Sequence, residues 1–178
     1  PMTPAQKAAR DARQGPKLPA GPNEARQRAE VFGKGHEKAR HIAITPHQMM
    51  DRLHGKDPGK ATANPNNIKE VVTKYSTQSQ ANKAGRQVLA SPQAQAALKA
   101  VAKQPVGTVS NKVSVTLKKP VTINVMRGPA PVNVGGKRVL PEGPPNFTTQ
   151  QTRTVEFRAE NTTKGPAIHT SFGVPKKP

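Results

Sequence analysis

The chain has 178 residues, no cysteine and a formal net charge of +19 at pH 7. The lack of cysteine excludes disulfide bonds, thiolate metal ligands and a cysteine nucleophile. No apolar run approaches the ~20 residues needed to cross a bilayer. Hydrophobic residues make up 33% of the chain and aromatic residues 3%, which predicts one domain with a small core, much loop and some disorder.

The first 30 residues are predicted to be a largely disordered linker. They contain helix formers but no apolar face, and Pro16, Pro19 and Pro22 interrupt them, so at most a short helix is expected at Pro4–Gln14. The chain begins with Pro1 and has no signal peptide at this point. We therefore expect it to be part of a longer protein whose export signal lies elsewhere.

Residues 31–178 are predicted to form the folded domain, beginning with four short helices. Thr45-Pro46 and Ser91-Pro92 each provide an N-cap followed by proline at the first helical position. Asn64-Pro65 is expected to open a second helix that ends near Tyr75, and a third helix is expected from Ser79 to Ala90. Each of these segments has apolar residues at helical spacing.

After Pro105 the apolar period changes to two, which indicates strands. Alternating apolar residues occupy 113–117 and 121–125, a short strand is expected at 139–140, and the last two strands are expected at 152–158 and 167–174. Helices followed by strands predict an α+β fold, with N-terminal short helices and then a twisted antiparallel β-sheet.

Positive charge dominates the middle of the chain. Between Val71 and Pro141 there is no Asp or Glu, although Lys and Arg occur throughout. A field of one sign attracts polyanions and favours a nucleic-acid partner. A solvated surface or a membrane-surface binder would carry similar charge. Aromatic residues are too few for a base-stacking platform, so phosphate contacts would supply most of the affinity.

Five histidines raise the question of a metal site. His36-Glu37 and His41 resemble the HExxH motif of zinc proteases, but that motif needs histidines four residues apart on one helical face. A five-residue spacing separates them by about 140° around a helix. With few carboxylates available as further ligands, the sequence predicts no metal site.

The segment from His36 to Leu53 instead suits metal-free cleavage of RNA. That reaction uses the RNA's own 2′-hydroxyl as nucleophile. It needs groups that transfer protons, and a cation or hydrogen-bond donor that stabilises the charge of the phosphorane. Histidine titrates near neutrality and can move the protons, as at His41. Arg52 offers a permanently charged, planar set of donors, and Thr170 can add a hydroxyl.

Four motifs resemble the ribonuclease A-like toxin domains found at the C-termini of bacterial polymorphic toxins, such as contact-dependent inhibition and Rhs-type proteins. GHEKARHI matches the family's histidine element, and QMMDRL matches its short helix, with Arg52 eleven residues after His41. TRTVEFR and IHTSFGVP resemble the two closing strands, while KYSTQSQANKAGRQVL matches the middle only loosely. The resemblance covers about residues 33–175.

The resemblance implies a ribonuclease A-like fold and an active site built from His41, Arg52, Thr170 and position 172. The family usually has tyrosine at the last position, where this chain has Phe172. Phe172 has no phenolic hydroxyl. It could stack against a base, with another residue supplying the missing proton group. His36 and Arg40, in the same motif as His41, are possible additional site residues.

His169 leaves two alternatives open. Neighbouring residues of a strand point to opposite faces, so parity places Thr170 and Phe172 in the site and His169 outside it. A bulged or shifted strand would instead bring His169 in and create a two-histidine site. Regular alternation favours the first alternative.

The resemblance also implies a biological role. The chain is expected to be a secreted antibacterial toxin domain: a metal-independent endoribonuclease that forms a 2′,3′-cyclic phosphate without a cofactor. It would be carried by a larger secreted protein, delivered to the cytoplasm of a target bacterial cell, and blocked by a cognate acidic immunity protein. The alternatives are a transferase toxin that modifies nucleic acid, such as an ADP-ribosyltransferase, and a non-enzymatic basic nucleic-acid-binding protein.

Overall fold

The computed structural model describes residues 1–14 and 17–178. The helices are α1 (Pro4–Gln14), α2 (Pro22–Phe32), α3 (Pro46–Leu53), α4 (Gln78–Leu89) and α5 (Pro92–Val101). A π-helical turn (Lys38–Ile42) precedes α3, and a 3-10 turn (Pro65–Asn67) follows it. The strands are β1 (Val71–Tyr75), β2 (Val113–Arg127), β3 (Val132–Val134), β4 (Lys137–Val139), β5 (Asn146–Thr162) and β6 (Gly165–Gly173).

The main sheet has four antiparallel strands in the order β1-β2-β5-β6, and β3 and β4 form a separate hairpin. The sheet curls strongly, so its two edge strands approach each other. The Tyr75 hydroxyl of β1 lies 3.1 Å from the Ser171 hydroxyl of β6. The predicted α+β fold, with N-terminal helices and an antiparallel sheet, is confirmed.

Helices α4 and α5 cover the sheet and form the main core with apolar residues of β2 and β5. A smaller core joins α3 to β1 and β2 through Met49, Leu53 and Val72. Local signals explain where these helices begin. The Thr45 side chain and Gln48 form a capping box at α3, and the Ser91 hydroxyl accepts the Ala94 N–H at α5. The π-helical turn and α3 both contact β1.

The helix predicted from Asn64 to Tyr75 is wrong. Only Pro65–Asn67 is helical, as a single 3-10 turn, and Val71–Tyr75 forms strand β1. This segment pairs with β2 from Val71↔Arg127 to Tyr75↔Ile123. Its β-branched residues suit a strand, and the edge of β2 provides hydrogen bonds that a short isolated helix could not match.

The structure also differs from the predicted linker over residues 1–30. Helix α1 forms at Pro4–Gln14, where the short helix was expected, and the side chains of residues 1–10 and Arg13 are exposed. Residues 22–32 form α2, which packs against β6 and α4. Pro22 sits at the start of the helix, where proline is favoured rather than disruptive.

Helix α2 is anchored by two buried alanines and two buried arginines. Ala25 and Ala29, one helical turn apart, form a narrow apolar face. Arg26 pairs with buried Glu37 at 3.2 Å, and Arg28 donates to the Pro166 carbonyl. In a sequence, arginines usually indicate a solvated face, which is why this contact surface was missed.

No helix within residues 1–14 and 17–178 is long and apolar enough to cross a membrane.

Candidate active site

A cleft of about 640 Å³ opens where the π-helical turn and the end of α3 meet β1 and β6. Its wall includes all seven side chains that the sequence analysis named as site residues. They are His36, Arg40, His41, Arg52, His169, Thr170 and Phe172. The first four of these residues and the last three are more than a hundred positions apart in sequence. They meet because the sheet curls.

A β-bulge in β6 decides which side chains of the last strand face the cleft. Thr170 pairs with Arg158 and Ile168 pairs with Ala159, so His169 is an extra residue without a partner on β5. Thr170 and Phe172 face the cleft, as parity predicts. His169 faces it too. The expectation that His169 lies outside is therefore wrong, because the bulge interrupts the alternation of side chains.

His41 lies at the end of the π-helical turn and is 7% exposed. Its Nδ1–H donates to the Thr73 carbonyl of β1 at 3.2 Å, so in the neutral ring Nε2 is the unprotonated nitrogen. Burial, together with the nearby Arg52 guanidinium, lowers the pKa of His41 to about 3. The free protein therefore has a neutral imidazole here at pH 7, with Nε2 able to accept a proton.

Arg40 and Arg52 share one carboxylate. Asp57, in the loop after α3, accepts from Arg40 Nη2 at 2.8 Å and from Arg52 Nε at 3.2 Å. Arg52 Nη1 also donates to the Arg40 carbonyl at 3.3 Å. Two positive charges are thus held by one negative charge, and the surplus positive charge lies at the cleft wall. Sequence reasoning found both arginines but missed Asp57.

Thr170 and Phe172 form the β6 side of the cleft beside His41. The Thr170 hydroxyl is buried and has no hydrogen-bond partner, the one such buried side-chain N or O within the described residues. A buried polar group without a partner costs free energy, so a hydrogen bond from this hydroxyl to a ligand that reached it would be stabilising. The Phe172 ring stacks on the His41 ring with centroids 5.2 Å apart and an interplanar angle of 26°.

His36 lies between the other two histidines of the cleft. Its ring centroid is 6.3 Å from that of His41 and 4.8 Å from that of His169. Arg40 Nη1 lies 3.3 Å from His36 Nε2, and because a guanidinium can only donate, Nε2 is the acceptor. Burial and the Arg40 charge lower the pKa of His36 to about 4, so this ring is also neutral at pH 7.

His169 is held by Glu160. The two form an ion pair when the imidazole is protonated, with Nδ1 2.8 Å from Oε2 of a fully buried carboxylate. Sequence reasoning missed Glu160. The available signal was weak: an acidic residue, in a chain with few acids, at the end of an otherwise alternating strand.

Further cations line the outer part of the cleft. Lys69 and Lys112 are exposed, and Arg158 is half-buried. Lys112 pairs with Glu156 at 2.9 Å, and Arg158 donates to the Ser110 carbonyl. These side chains add to the positive charge of the cleft wall, which attracts anions. From the sequence alone, these three residues could not be distinguished from other surface lysines and arginines.

Within residues 1–14 and 17–178, no cluster of three or more His, Cys, Asp or Glu side chains is arranged to hold a metal ion.

Comparison of the chain with protein-family models, with curated proteins and with solved structures gives no significant match.

Proposed function

We propose that this chain is a metal-independent endoribonuclease that cleaves RNA by transphosphorylation and leaves a 2′,3′-cyclic phosphate. The observation that carries the proposal is one cleft containing a neutral, oriented histidine, two guanidiniums and an unpartnered buried hydroxyl. These are a proton acceptor and three donors suited to phosphate oxygens. The four sequence motifs that resemble ribonuclease A-like toxin domains support the same activity.

His41 is the proposed general base. The Thr73 carbonyl fixes its tautomer, so Nε2 is available to remove the proton from the 2′-hydroxyl. Phe172 stacks on one face of the ring and restricts its rotation. The lowered pKa keeps the ring unprotonated before RNA binds. The phosphate's negative charge then favours protonation, as a base in this reaction requires.

Arg52, Arg40 and Thr170 are proposed to bind the scissile phosphate. A bidentate guanidinium matches two phosphate oxygens, and developing phosphorane charge strengthens those contacts in the transition state. Asp57 fixes the orientation of Arg52 while leaving the arginine pair with surplus positive charge. The Thr170 hydroxyl gains in the complex the partner it lacks in the free protein.

The proposed biological role follows from the same resemblance. The chain would be a toxin domain of a larger secreted protein, acting in the cytoplasm of a target bacterial cell. A cognate immunity protein would have to cover a strongly basic cleft, which favours an acidic partner. The net charge of +19 supports both the RNA substrate and the acidic inhibitor.

The activity is tested by incubating the purified protein with total RNA in EDTA. We expect cleavage, with product ends that carry cyclic phosphate and resist ligation until opened. His41→Ala should lower the rate about 10²–10⁴-fold without unfolding the protein. Exposed His47→Ala, outside the cleft, is the matched control. RNA binding without any product would contradict the proposal, as would cleavage that EDTA abolishes.

A further inference from the structure

We propose that His169, positioned by Glu160, is the general acid that protonates the 5′-oxygen leaving group. This inference rests on the proposed ribonuclease activity and adds the proton donor that position 172 cannot provide. Phe172 has no ionisable group, and its ring stacks on His41. A second proton-transfer group must therefore come from another side chain of the cleft.

The β-bulge puts His169 into the cleft without removing its neighbours. In a regular strand, His169 and Thr170 would point to opposite faces. Because His169 is the extra residue of the bulge, both side chains line the same cavity. The His36 backbone N–H donates to the His169 carbonyl at 3.1 Å, which ties the bulge to the segment that holds His41.

Glu160 positions the His169 ring in the cleft. The carboxylate is fully buried and also accepts the Lys34 backbone N–H at 2.8 and 3.1 Å. An added Cβ at Gly33 would lie 2.7 Å from the Glu160 carboxylate, so a larger residue there would displace this side chain. The contact between the Glu160 carboxylate and His169 Nδ1 at 2.8 Å fixes the orientation of the ring and leaves Nε2 for a substrate oxygen.

His36 is less suited to this role, although it lies between the two rings. Its Nε2 accepts a hydrogen bond from Arg40, so that nitrogen has no proton to donate. The adjacent guanidinium also disfavours a charged ring. Within the described residues, His169 is the cleft histidine whose ring pairs with a carboxylate.

The proposed reaction exchanges one P–O bond for another and transfers two protons. The 2′-oxygen attacks phosphorus and forms the new P–O bond, while its proton passes to His41 Nε2. The bond from phosphorus to the 5′-oxygen breaks, and the proton on His169 Nε2 passes to that oxygen. The products are a 2′,3′-cyclic phosphate and a 5′-hydroxyl, with His41 protonated and His169 neutral. Exchange with water restores both rings.

The test compares two RNA oligonucleotides of the same sequence, each with a single site that the wild-type protein cleaves. In the second, sulfur replaces the 5′-oxygen at the scissile position. A thiolate leaves without protonation because a thiol is a far stronger acid than an alcohol. The His169→Ala variant should therefore cleave the oxygen substrate about 10²–10⁴-fold more slowly than the wild type. It should cleave the sulfur substrate within about tenfold of the wild-type rate. His41→Ala should slow both.

Glu160→Gln tests the positioning role with a nearly isosteric side chain. We expect a smaller loss on the oxygen substrate than for His169→Ala, and again little loss on the sulfur substrate. Exposed Glu142→Gln is the matched control. The ratio of the two rates within each variant does not depend on the fraction of protein that is folded, so a destabilised variant still gives an answer.

The outcomes separate the two proposals. A wild-type protein that cleaves RNA, with His169→Ala slowed equally on both substrates or on neither, overturns the acid role and leaves the ribonuclease activity standing. A wild-type protein that cleaves neither oligonucleotide nor total RNA overturns the ribonuclease proposal itself. Sulfur rescue of His169→Ala, with none for His41→Ala, supports the assignment.

Discussion

Three of the proposed site residues are held by protein contacts and still keep a polar atom for substrate. His41 uses Nδ1 to bind the Thr73 carbonyl, Arg52 uses Nε to bind Asp57, and His169 uses Nδ1 to bind Glu160. Such fixed groups need little reorganisation when charge develops during reaction. The remaining polar atoms can then meet the phosphate from different sides of the cleft.

Arg52→Lys should fail nearly as badly as Arg52→Ala in RNA cleavage. Lysine keeps the positive charge but loses the planar set of donors that can hold Asp57 and a phosphate oxygen together. Removing a preorganised donor of this kind costs about 10²–10³ in rate. The measurement is the cleavage rate of both variants, with thermal unfolding recorded for each.

An alternative role for Arg52 is purely structural, as a cation in the last turn of α3. A cation at that place contributes about 0.3–1 kcal/mol of stability through the helix dipole, and lysine would serve equally well. A fully active Arg52→Lys protein would thus rule out the phosphate-binding role, even if His41 proved essential.

Helix α2 links the N-terminal part of the chain to the site. Arg26 pairs with Glu37, which directly follows His36, and both side chains are buried. Burial raises the pKa of Glu37, and the Arg26 guanidinium opposes that rise. Loss of Arg26 would leave a buried carboxylate without its partner, next to a residue of the cleft.

Truncation should therefore distinguish the two N-terminal helices. Removal of residues 1–14 should leave folding and cleavage nearly unchanged, because the side chains of residues 1–10 and Arg13 are exposed. Removal of residues 1–29 should destabilise the protein and abolish cleavage. Arg26→Ala alone should cost about 3–5 kcal/mol of unfolding free energy, measured by urea titration, with exposed Arg13→Ala as the control. Full activity after removal of residues 1–29 would show that α2 does not support the site.

The sequence predicted those elements whose signals are local. Capping residues at Thr45 and Ser91 predict the starts of α3 and α5, and alternation predicts β2 and the end strands. Strand β1 was misassigned because its β-branched residues also fit a helical spacing, and only the edge of β2 decides between them. The bulge at His169 depends on pairing with β5, so the strand's own sequence could not reveal it.

Burial of His41 should lower the stability of the protein as the pH decreases from about 6.5, whereas the raised pKa of Glu37 acts in the opposite direction. The pKa of His41 falls from its ordinary value of 6.5 to about 3. Between these values the unfolded chain binds the proton and the folded protein does not, so acid favours unfolding. His36, with a pKa of about 4, acts in the same direction.

Urea titrations at pH 7 and pH 5 measure this effect. His41 alone should contribute at most about 2 kcal/mol of the loss at pH 5, since one pH unit corresponds to about 1.36 kcal/mol per proton. His41→Asn should show a smaller difference between the two pH values than the parent, whatever its absolute stability. An equal difference in both proteins would mean that His41 is accessible to protons in the folded state.

The curled sheet makes the site an all-or-none property of the folded chain. His41 and Arg52 precede β1, whereas His169 and Thr170 lie on β6, and only closure of the two edge strands brings them together. An extended or unfolded chain would therefore lack the assembled cleft altogether. With no cysteine in the sequence, refolding would rebuild the cleft without any oxidant.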